Sequence, residues 1–459
     1  MHSLAHNPET QPESKVSEGA HLMARISWDF ARFTIPVVVL VLLFLSQRYW
    51  LRRGRALASR LPPGARPWVR AACIAALTLL ILIVVNDMLG RYALLPRSRL
   101  LSEIAWLWFS SSMMAYVAIC AVHIVAWLWY RAFPHRAADE AGAPVNLGRR
   151  RFVQTATVVA GAAPFVGFAY GFAAERWQFQ VREQELALET LPAALDGLRI
   201  AQLSDIHIGS FMPAREVRRA VAMANDLRAD LAVVTGDFLT GSGDPLEACV
   251  AELAQLRAPL GVWGCNGNHE IYADAEALAA QLFGRYGMKL LRQERAELSW
   301  NGGAFHLIGV DYQRERNPDG TKRRMLTAIE PLIEPNMFHV LLSHNPNSFP
   351  RAAEMGIDLS LAGHTHGGQV RVEILDVDVS PARFFTPYIE GLFRRPRFAA
   401  PADSDFDLRT GAARLASQAQ PAPAAGSLLY VNRGLGTIAA PVRLGVPPEI
   451  TLHTLRRAT

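Results

Sequence analysis

Five short segments of this sequence carry side chains that can bind a metal ion or move a proton. In chain order they are Asp205-Ile206-His207, Gly236-Asp237, Gly267-Asn268-His269-Glu270, Ser343-His344 and Gly363-His364-Thr365-His366. Each follows an apolar run typical of a buried strand, such as DLAVVT before Gly236. Because open α/β sheets gather polar residues beyond the strand ends along one edge, we expect these side chains to converge there.

The residue types in these segments indicate the kind of site. Carboxylate, amide carbonyl and neutral imidazole ligands suit borderline divalent metals, and the lack of cysteine argues against a closed structural zinc site. A single His-x-His pair, taken alone, could equally be a polar turn after a core strand. Five segments with the same kind of side chain together indicate a catalytic metal site.

In type and order, the five segments resemble the motifs of the calcineurin-like metallophosphoesterase superfamily. The stretch GHTHGGQ at 363–369 resembles the bacterial membrane-associated phosphohydrolase branch of that family, and the resemblance extends from Leu198 to the C-terminus. It implies an α/β (α+β) fold, a four-layer αββα sandwich in which two mixed sheets pack face to face with helices outside. It also implies hydrolysis of phosphoesters with two divalent metal ions, which could be manganese, iron or zinc.

The resemblance implies a role for each matched residue. Seven would bind the metals: Asp237 as the bridge between them, Asp205, His207 and His366 at the first metal, and Asn268, His344 and His364 at the second. His269 would face the substrate as a general acid or stabilise the transition state, with Glu270 either orienting it or supporting the fold. Many relatives have G-D-x-x-D where this chain has Thr240 in the last position, a change expected to alter metal affinity and substrate range.

The N-terminal part of the chain predicts a membrane region. Hydrophobic residues make up 51% of the sequence and charged residues only 19%, which is unusual for a soluble protein. Four apolar segments, at 26–50, 71–88, 104–130 and 152–174, approach the roughly 20 residues that cross a bilayer. The fourth is weaker and could instead lie at the membrane interface.

Arginine distribution predicts the orientation of these segments. Seven arginines lie within 48–70 and five within 131–151, against three within 91–99. By the positive-inside rule, the first and third connections are cytoplasmic. A multi-pass protein of the inner membrane with four crossings would then carry its catalytic domain on the periplasmic or extracellular side; without the fourth crossing the domain would stay in the cytoplasm.

The remaining sequence patterns predict the domain boundaries and several helices and strands. We expect a disordered lead at 1–25, a transmembrane region of three or four helices at 26–175 and a metallophosphoesterase domain at 176–459, with an alanine- and proline-rich mobile insertion at 394–426. Helices are predicted at 213–227, 246–256, 274–286 and 323–332, and strands at 289–297 and 304–312 flank a turn at Asn301-Gly302-Gly303. The four cysteines indicate no disulfide framework, although a Cys249–Cys265 bridge stays open.

These observations favour a membrane-anchored binuclear-metal phosphoesterase that acts on a phosphodiester or a lipid-linked phosphate. Two alternatives stay open: a pyrophosphatase of a nucleotide-linked lipid precursor, and a metal-binding sensor or scaffold without turnover. Arg433 and Arg443 could reach a phosphate or could equally be solvated surface residues. The net charge of +6 does not indicate a nucleic-acid partner, because much of the excess lies in the membrane connections. Oligomeric state is not specified.

Overall fold

The N-terminal part of the described residues forms a group of long helices. The structure, a computed structural model, describes residues 37–89, 92, 94, 96, 98–132, 147–317, 321, 323–374, 377–384, 386–398 and 426–458. The first four helices are 37–58 (α1), Arg66–Met88 (α2), Arg99–Ala132 (α3) and Leu147–Ala173 (α4). Among the described residues, Arg66–Met88, Arg99–Ala132 and Gly148–Trp177 are long and apolar enough to cross a membrane. The predicted lead at 1–25 and the first part of the predicted segment 26–50 lie outside the described residues.

Polar side chains connect α1, α2 and α3. Gln47 Nε2 donates to Ser112 Oγ at 3.0 Å, and Trp108 Nε1 donates to Gln47 Oε1 at 3.0 Å. At the end of α2, Asp87 accepts a hydrogen bond from Ser102 Oγ at 3.0 Å. Because lipid offers no hydrogen-bond partner, contacts of this kind hold membrane helices together.

Among the described residues, fourteen strands follow in the second part of the chain. The first seven are Gln180–Leu188 (β1), Arg199–Leu203 (β2), Leu231–Thr235 (β3), Val262–Cys265 (β4), Lys289–Leu290 (β5), Glu294–Trp300 (β6) and Gly303–Gly309 (β7). The others are His339–Leu342 (β8), Leu359–Ala362 (β9), Val372–Ile374 (β10), Val377–Val379 (β11), Gly391–Arg395 (β12), Ser427–Val431 (β13) and Glu449–Arg457 (β14). They form one sheet in the order β1-β14-β2-β3-β4-β5, a second in the order β12-β13-β9-β8-β7-β6, and a separate β10-β11 hairpin.

The two large sheets pack face to face. One buried cluster joins Leu231 and Val233 of the first sheet to Leu307, Val340 and Leu359 of the second. Both sheets are mixed, since β2, β3 and β4 are parallel while β14 is antiparallel to β2, and β7, β8 and β9 are parallel while β6 is antiparallel to β7.

Helices cover the outer faces of both sheets. Helices Ala214–Asp226 (α5), Leu246–Leu253 (α6) and Glu276–Arg285 (α8) bury their apolar side chains against the first sheet, and the short helix Asn268–Tyr272 (α7) follows β4. The short helix Phe349–Glu354 (α9) and the 3-10 turn Thr327–Leu332 pack on the second. The predicted α/β sandwich of two mixed sheets with outer helices is confirmed.

The predicted elements differ from the structure in two places, and a third is confirmed. The helix expected at 323–332 is only the 3-10 turn Thr327–Leu332, which contains Pro331, a residue without an N–H for a helical hydrogen bond. The strand expected at 289–297 is split, because β5 joins the first sheet and β6 starts at Glu294 in the second. The hairpin itself is correct: Asn301 and Gly302, with φ of 49° and 81°, form the two-residue turn between β6 and β7.

Two further expectations concern the cysteines and the insertion. Cys249 and Cys265 are both free and buried, so the bridge that the sequence left open is not formed. Residues 399–425 of the predicted insertion at 394–426 lie outside the described residues.

Candidate metal centre

The ends of five strands bring all eight predicted site residues to one edge of the sandwich. Asp205 and His207 follow β2, Asp237 follows β3, Asn268 and His269 follow β4, His344 follows β8, and His364 and His366 follow β9. Three groups of side chains have ligand atoms within 4.8 Å of one another: Asp205, His207 and His366; His207, Asp237 and His269; and Asp237, His344 and His364. The expectation that polar residues just beyond the strand ends gather along one edge, here called the strand-end rule, therefore identified residues that do converge in space.

The loops that carry these residues have an unusual backbone. Five non-glycine site residues have positive φ: Asp205 at 49°, His207 at 50°, Asp237 at 54°, His364 at 76° and His366 at 52°. Such conformations cost of order 1–3 kcal/mol each and persist where the surrounding structure enforces them. The sequence gives no signal for this strain beyond the greater tolerance of aspartate and histidine for the left-handed region.

Asp205, His207 and His366 form the first group. His207 Nε2 lies 3.1 Å from His366 Nε2, and His366 Nε2 lies 3.4 Å from Asp205 Oδ1. Asp205 is held in place by the backbone amide of His364, which donates to Oδ1 at 3.0 Å and to Oδ2 at 3.1 Å. Three potential ligand atoms therefore face one small buried volume.

Asp237 stands between this group and the second one. Its Oδ2 lies 3.0 Å from His344 Nε2 and 3.5 Å from His207 Nε2. Its Oδ1 accepts a hydrogen bond from the backbone amide of His269 at 2.9 Å. The His364 ring lies 5.1 Å from the His344 ring between centroids, which completes the second group. A single carboxylate is thus within reach of ligands on both sides.

Hydrogen bonds at Nδ1 orient the histidine rings. His344 Nδ1 donates to the carbonyl of Thr235 at 2.5 Å, and His269 Nδ1 donates to the carbonyl of Thr240 at 2.6 Å. The hydroxyl of Thr240 lies 3.3 Å from His207 Nδ1. Partners of this kind fix the tautomer and leave Nε2 available for a metal or a substrate. Thr240, which departs from the family pattern, therefore still supports a site histidine.

Glu270 holds the backbone of the site. It accepts hydrogen bonds from the amides of Gly267 at 2.7 Å, Asp237 at 3.0 Å and Phe238 at 2.8 Å. Among the described residues, these backbone amides, and not the ring of His269, are its partners. Of the two roles left open for Glu270, the structure supports the structural one.

The donor set fits divalent cations. Burial lowers the pKa of His207 and of His364 to about 3, which keeps both imidazoles neutral with a lone pair to offer. The pKa of Asp237 lies well below its usual range because His344 and the other histidines outweigh the opposing effect of burial. Asn268 Oδ1 is buried without a hydrogen-bond partner in the described part of the chain. A cation would satisfy that oxygen and neutralise the aspartates.

The structure buries both Arg433 and Arg443, which contradicts the alternative that they are solvated surface residues. Arg443 is fully buried behind the site, where its Nη2 donates to the carbonyls of Gly436 at 2.7 Å and Arg433 at 2.8 Å and lies 3.4 Å from His366 Nδ1. Burial lowers its pKa to about 10. Arg433 is also buried, and its Nε pairs with Glu390 Oε2 at 2.7 Å. Neither arginine is a solvated surface residue, and both already have partners.

Two residues that the sequence interpretation missed also shape the site. Tyr312 follows β7, and its hydroxyl lies 3.5 Å from His364 Nε2; the strand-end rule could have identified it. Gln369 fixes the loop around Arg443, because its Nε2 donates to the carbonyls of Ile438 at 2.9 Å and Ala440 at 3.0 Å. Only its place in GHTHGGQ pointed to Gln369.

Comparison with known proteins agrees with this geometry. Residues 198–368 match the sequence model of the Metallophos family, described as calcineurin-like phosphoesterase. The "Uncharacterized metallophosphoesterase YkuE" of Bacillus subtilis is 26% identical over 68% of this chain and 98% of its own length. The "Phosphodiesterase YaeI" of Escherichia coli is 27% identical over 67% of this chain and 99% of its own length. The "Transmembrane protein with metallophosphoesterase domain" of Danio rerio is 27% identical over 66% of this chain and 63% of its own length.

The matched region, 198–368, contains all eight site residues and the five strands that they follow. The resemblance inferred from the five motifs is therefore confirmed. The chain contains a calcineurin-like metallophosphoesterase domain and is a metal-dependent phosphoester hydrolase.

Proposed function

We propose that this protein hydrolyses phosphodiesters presented at a membrane surface, with two divalent metal ions in the candidate centre. The observation that carries the proposal is the position of Asp237, whose Oδ2 lies 3.0 Å from His344 Nε2 and 3.5 Å from His207 Nε2. A carboxylate in this position is close to histidine ligands on both sides and could bind a cation on each side. That is the arrangement a shared bridge between two cations requires.

Each ion would have its own protein ligands in addition to this bridge. Asp205, His207 and His366 would hold one, and Asn268, His344 and His364 would hold the other. When bound, two such ions neutralise charge on phosphoryl oxygens and lower the pKa of water so that it can act as a nucleophile. Manganese, iron and zinc all suit this mixture of oxygen and nitrogen ligands, so the ligand set alone does not select among them.

His269 is the residue we assign to proton transfer. One of its ring nitrogens lies within 4.8 Å of ligand atoms of both His207 and Asp237, and its Nδ1 is occupied by the carbonyl of Thr240. Nε2 is then the atom that would donate a proton to the leaving oxygen. A positioned acid at this point lowers the barrier for alkoxide leaving groups, which are poor without a proton.

Contacts between the helices and the domain support a substrate at the bilayer surface. Gly171 of α4 packs so closely on the loop behind the site that an added Cβ would lie 2.3 Å from the carbonyl oxygen of Arg443. Arg176, just after α4, pairs with Glu103 of α3 at 3.0 Å, and both side chains are buried. A catalytic domain fixed to apolar helices in this way would stay beside the membrane. A lipid-linked phosphate would therefore reach it more readily than a dilute soluble ester.

The arginine distribution supports an orientation as well. With four crossings, the domain would lie on the outer side of the inner membrane, where lipid headgroups and lipid-linked precursors are substrates within reach.

The proposal is tested with the full-length protein in detergent and in vesicles. Metal is removed, manganese, iron or zinc is restored, and turnover is measured on a soluble phosphodiester, a soluble phosphomonoester and a phosphodiester lipid. We expect metal-dependent turnover that favours the diesters, that Asp237→Asn abolishes and that Asp226→Asn, at an exposed aspartate of α5, leaves unchanged. Absence of metal-dependent turnover on all three compounds would contradict the hydrolase, whereas turnover of the soluble esters alone would contradict only the membrane substrate.

A further inference from the structure

A cleft between α1 and α2, separate from the metal centre, has both charged and apolar walls. It encloses about 440 Å³. Its charged wall consists of Arg48, Arg52 and Arg55, and its apolar wall includes Phe44, Leu77 and Ile81. Such a combination suits a ligand that is anionic at one end and apolar at the other.

The three arginines share one face of α1. Their spacing of four and then three residues places them above one another on successive turns of the helix. Within the described part of the chain, the side chain of none of them has a hydrogen bond or an ion pair. Arg53, on another face of α1, differs because its Nε donates to the hydroxyl of Tyr49 at 3.1 Å. Three like charges thus line the cleft without a counter-charge.

The apolar wall of the cleft extends along α2, away from the connection between α1 and α2. Leu77 and Ile81 lie roughly 16 and 22 Å from the first residue of α2, at about 1.5 Å per residue. They belong to a helix that is apolar enough to cross a membrane. Cations beside such a segment are expensive in a bilayer unless they reach the interface or meet an anion.

The positive-inside rule accounts for arginines in this connection but not for their alignment. That rule counts charge near the membrane and is satisfied whichever way the side chains turn. Arg53, Arg60 and Arg70 meet it without lining the cleft. The rule therefore does not explain why Arg48, Arg52 and Arg55 share one cleft with apolar side chains, whereas a bound anionic ligand would.

We propose that this cleft binds an anionic phospholipid, with the headgroup phosphate held by Arg48, Arg52 and Arg55 and an acyl chain lying along Phe44, Leu77 and Ile81. Guanidinium groups form paired hydrogen bonds with phosphate oxygens, which a point charge cannot reproduce. A free phosphate would match the arginines but would leave the apolar wall exposed. The proposal does not depend on the proposed hydrolysis, since the cleft lies away from the metal centre.

The test uses full-length protein in a neutral detergent. Unfolding temperature and bound lipid, the latter by native mass spectrometry, are measured with added phosphatidylglycerol, phosphatidylcholine or inorganic phosphate. The variants are the triple change Arg48→Gln/Arg52→Gln/Arg55→Gln, the charge-preserving triple change of the same residues to Lys, and the matched control Arg53→Gln/Arg60→Gln/Arg70→Gln.

We expect phosphatidylglycerol to bind and raise the unfolding temperature of the wild type and of the control. The Gln variant should lose at least tenfold in affinity, and the Lys variant should lose part of it while keeping the charge that sets topology. A cooperative unfolding transition in the absence of added lipid, close to that of the wild type, reports that each variant is folded. Equal losses in the control and the Gln variant, equal binding of phosphatidylcholine, or an equal shift with inorganic phosphate would each overturn the proposal. If the Gln variant does not fold, unaltered lipid affinity in the Lys variant would overturn it.

Discussion

His269 has Nδ1 occupied by the carbonyl of Thr240 at 2.6 Å, so its proton chemistry depends on Nε2. We predict that His269→Gln lowers kcat roughly 10²- to 10⁴-fold on a diester with an alkoxide leaving group, the usual contribution of a positioned acid. Metal content, measured by elemental analysis, should not change, because none of the seven proposed ligands is altered.

The leaving group distinguishes proton donation from transition-state stabilisation. A nitrophenolate leaves without a proton, so the same variant should lose much less activity on a nitrophenyl diester. Equal losses on the alkyl and nitrophenyl esters would show that His269 does not act as the general acid, and would favour the electrostatic role that the motif left open.

Thr240 illustrates how a departure from a family pattern can keep part of its role. Its hydroxyl lies 3.3 Å from His207 Nδ1, where it can orient the ring although it brings no charge. We predict that Thr240→Val weakens metal binding roughly 10- to 100-fold, the usual effect of losing such support. The midpoint of activity against metal concentration measures this. Thr327→Val, at an exposed threonine, is the control, and an unchanged midpoint in Thr240→Val would contradict the orienting role.

At the scale of elements, the end of β9 must pass very close to the loop after β2. A Cβ on Gly363 would lie 2.0 Å from Ser204 Oγ and 2.2 Å from Asp205 Oδ2. We predict that Gly363→Ala displaces Asp205, so that metal content and turnover both fall by at least about tenfold, as for a lost supporting contact. Both are measured on purified full-length protein.

Gly284 provides the matched control for this substitution. It lies near the end of α8, and nothing comes within 4 Å of an added Cβ. Gly284→Ala should therefore keep full activity and gain roughly 0.5–1 kcal/mol in unfolding free energy, because alanine costs less than glycine in a helix. Wild-type metal content in Gly363→Ala would show that the β9 loop has room that the structure does not indicate.

The elements also show what sequence patterns can predict. Apolar runs followed by polar residues located the ends of β2, β3, β4, β8 and β9 and hence the metal centre, because period and strand length are local properties. The positive φ at Asp205 and His366 could not be predicted, since it results from packing between the loops. The same holds for the burial of Arg443, because the local pattern contains no information on the helix that covers it.

At the scale of the whole molecule, the N-terminal apolar helices and the candidate metal centre are joined by a short series of contacts. Gly171 of α4 packs on the backbone of Arg443, and the Arg443 guanidinium lies 3.4 Å from His366 Nδ1 behind the site. Gln369 holds the same loop through the carbonyls of Ile438 and Ala440. Residues far apart in sequence therefore set the position of one candidate ligand. No local pattern could reveal that dependence.

This connection predicts that a substitution in α4 impairs catalysis. In Gly171→Leu, the added side chain would overlap the Arg443 carbonyl, because even a Cβ would lie 2.3 Å from that oxygen and 2.6 Å from Val442 Cγ1. The loop must then move, and His366 loses the support of the guanidinium. We expect the midpoint of activity against metal concentration, measured for full-length Gly171→Leu on a soluble diester, to shift at least about tenfold, as when a ligand loses its supporting partner.

Gly64→Leu is the control for this substitution. It lies in the connection between α1 and α2, where nothing comes within 4 Å of an added Cβ, and it should behave as the wild type. Since the ester is soluble, the shift cannot arise from substrate delivery; identical midpoints in both variants would mean that the helices anchor the domain without influencing its metal centre.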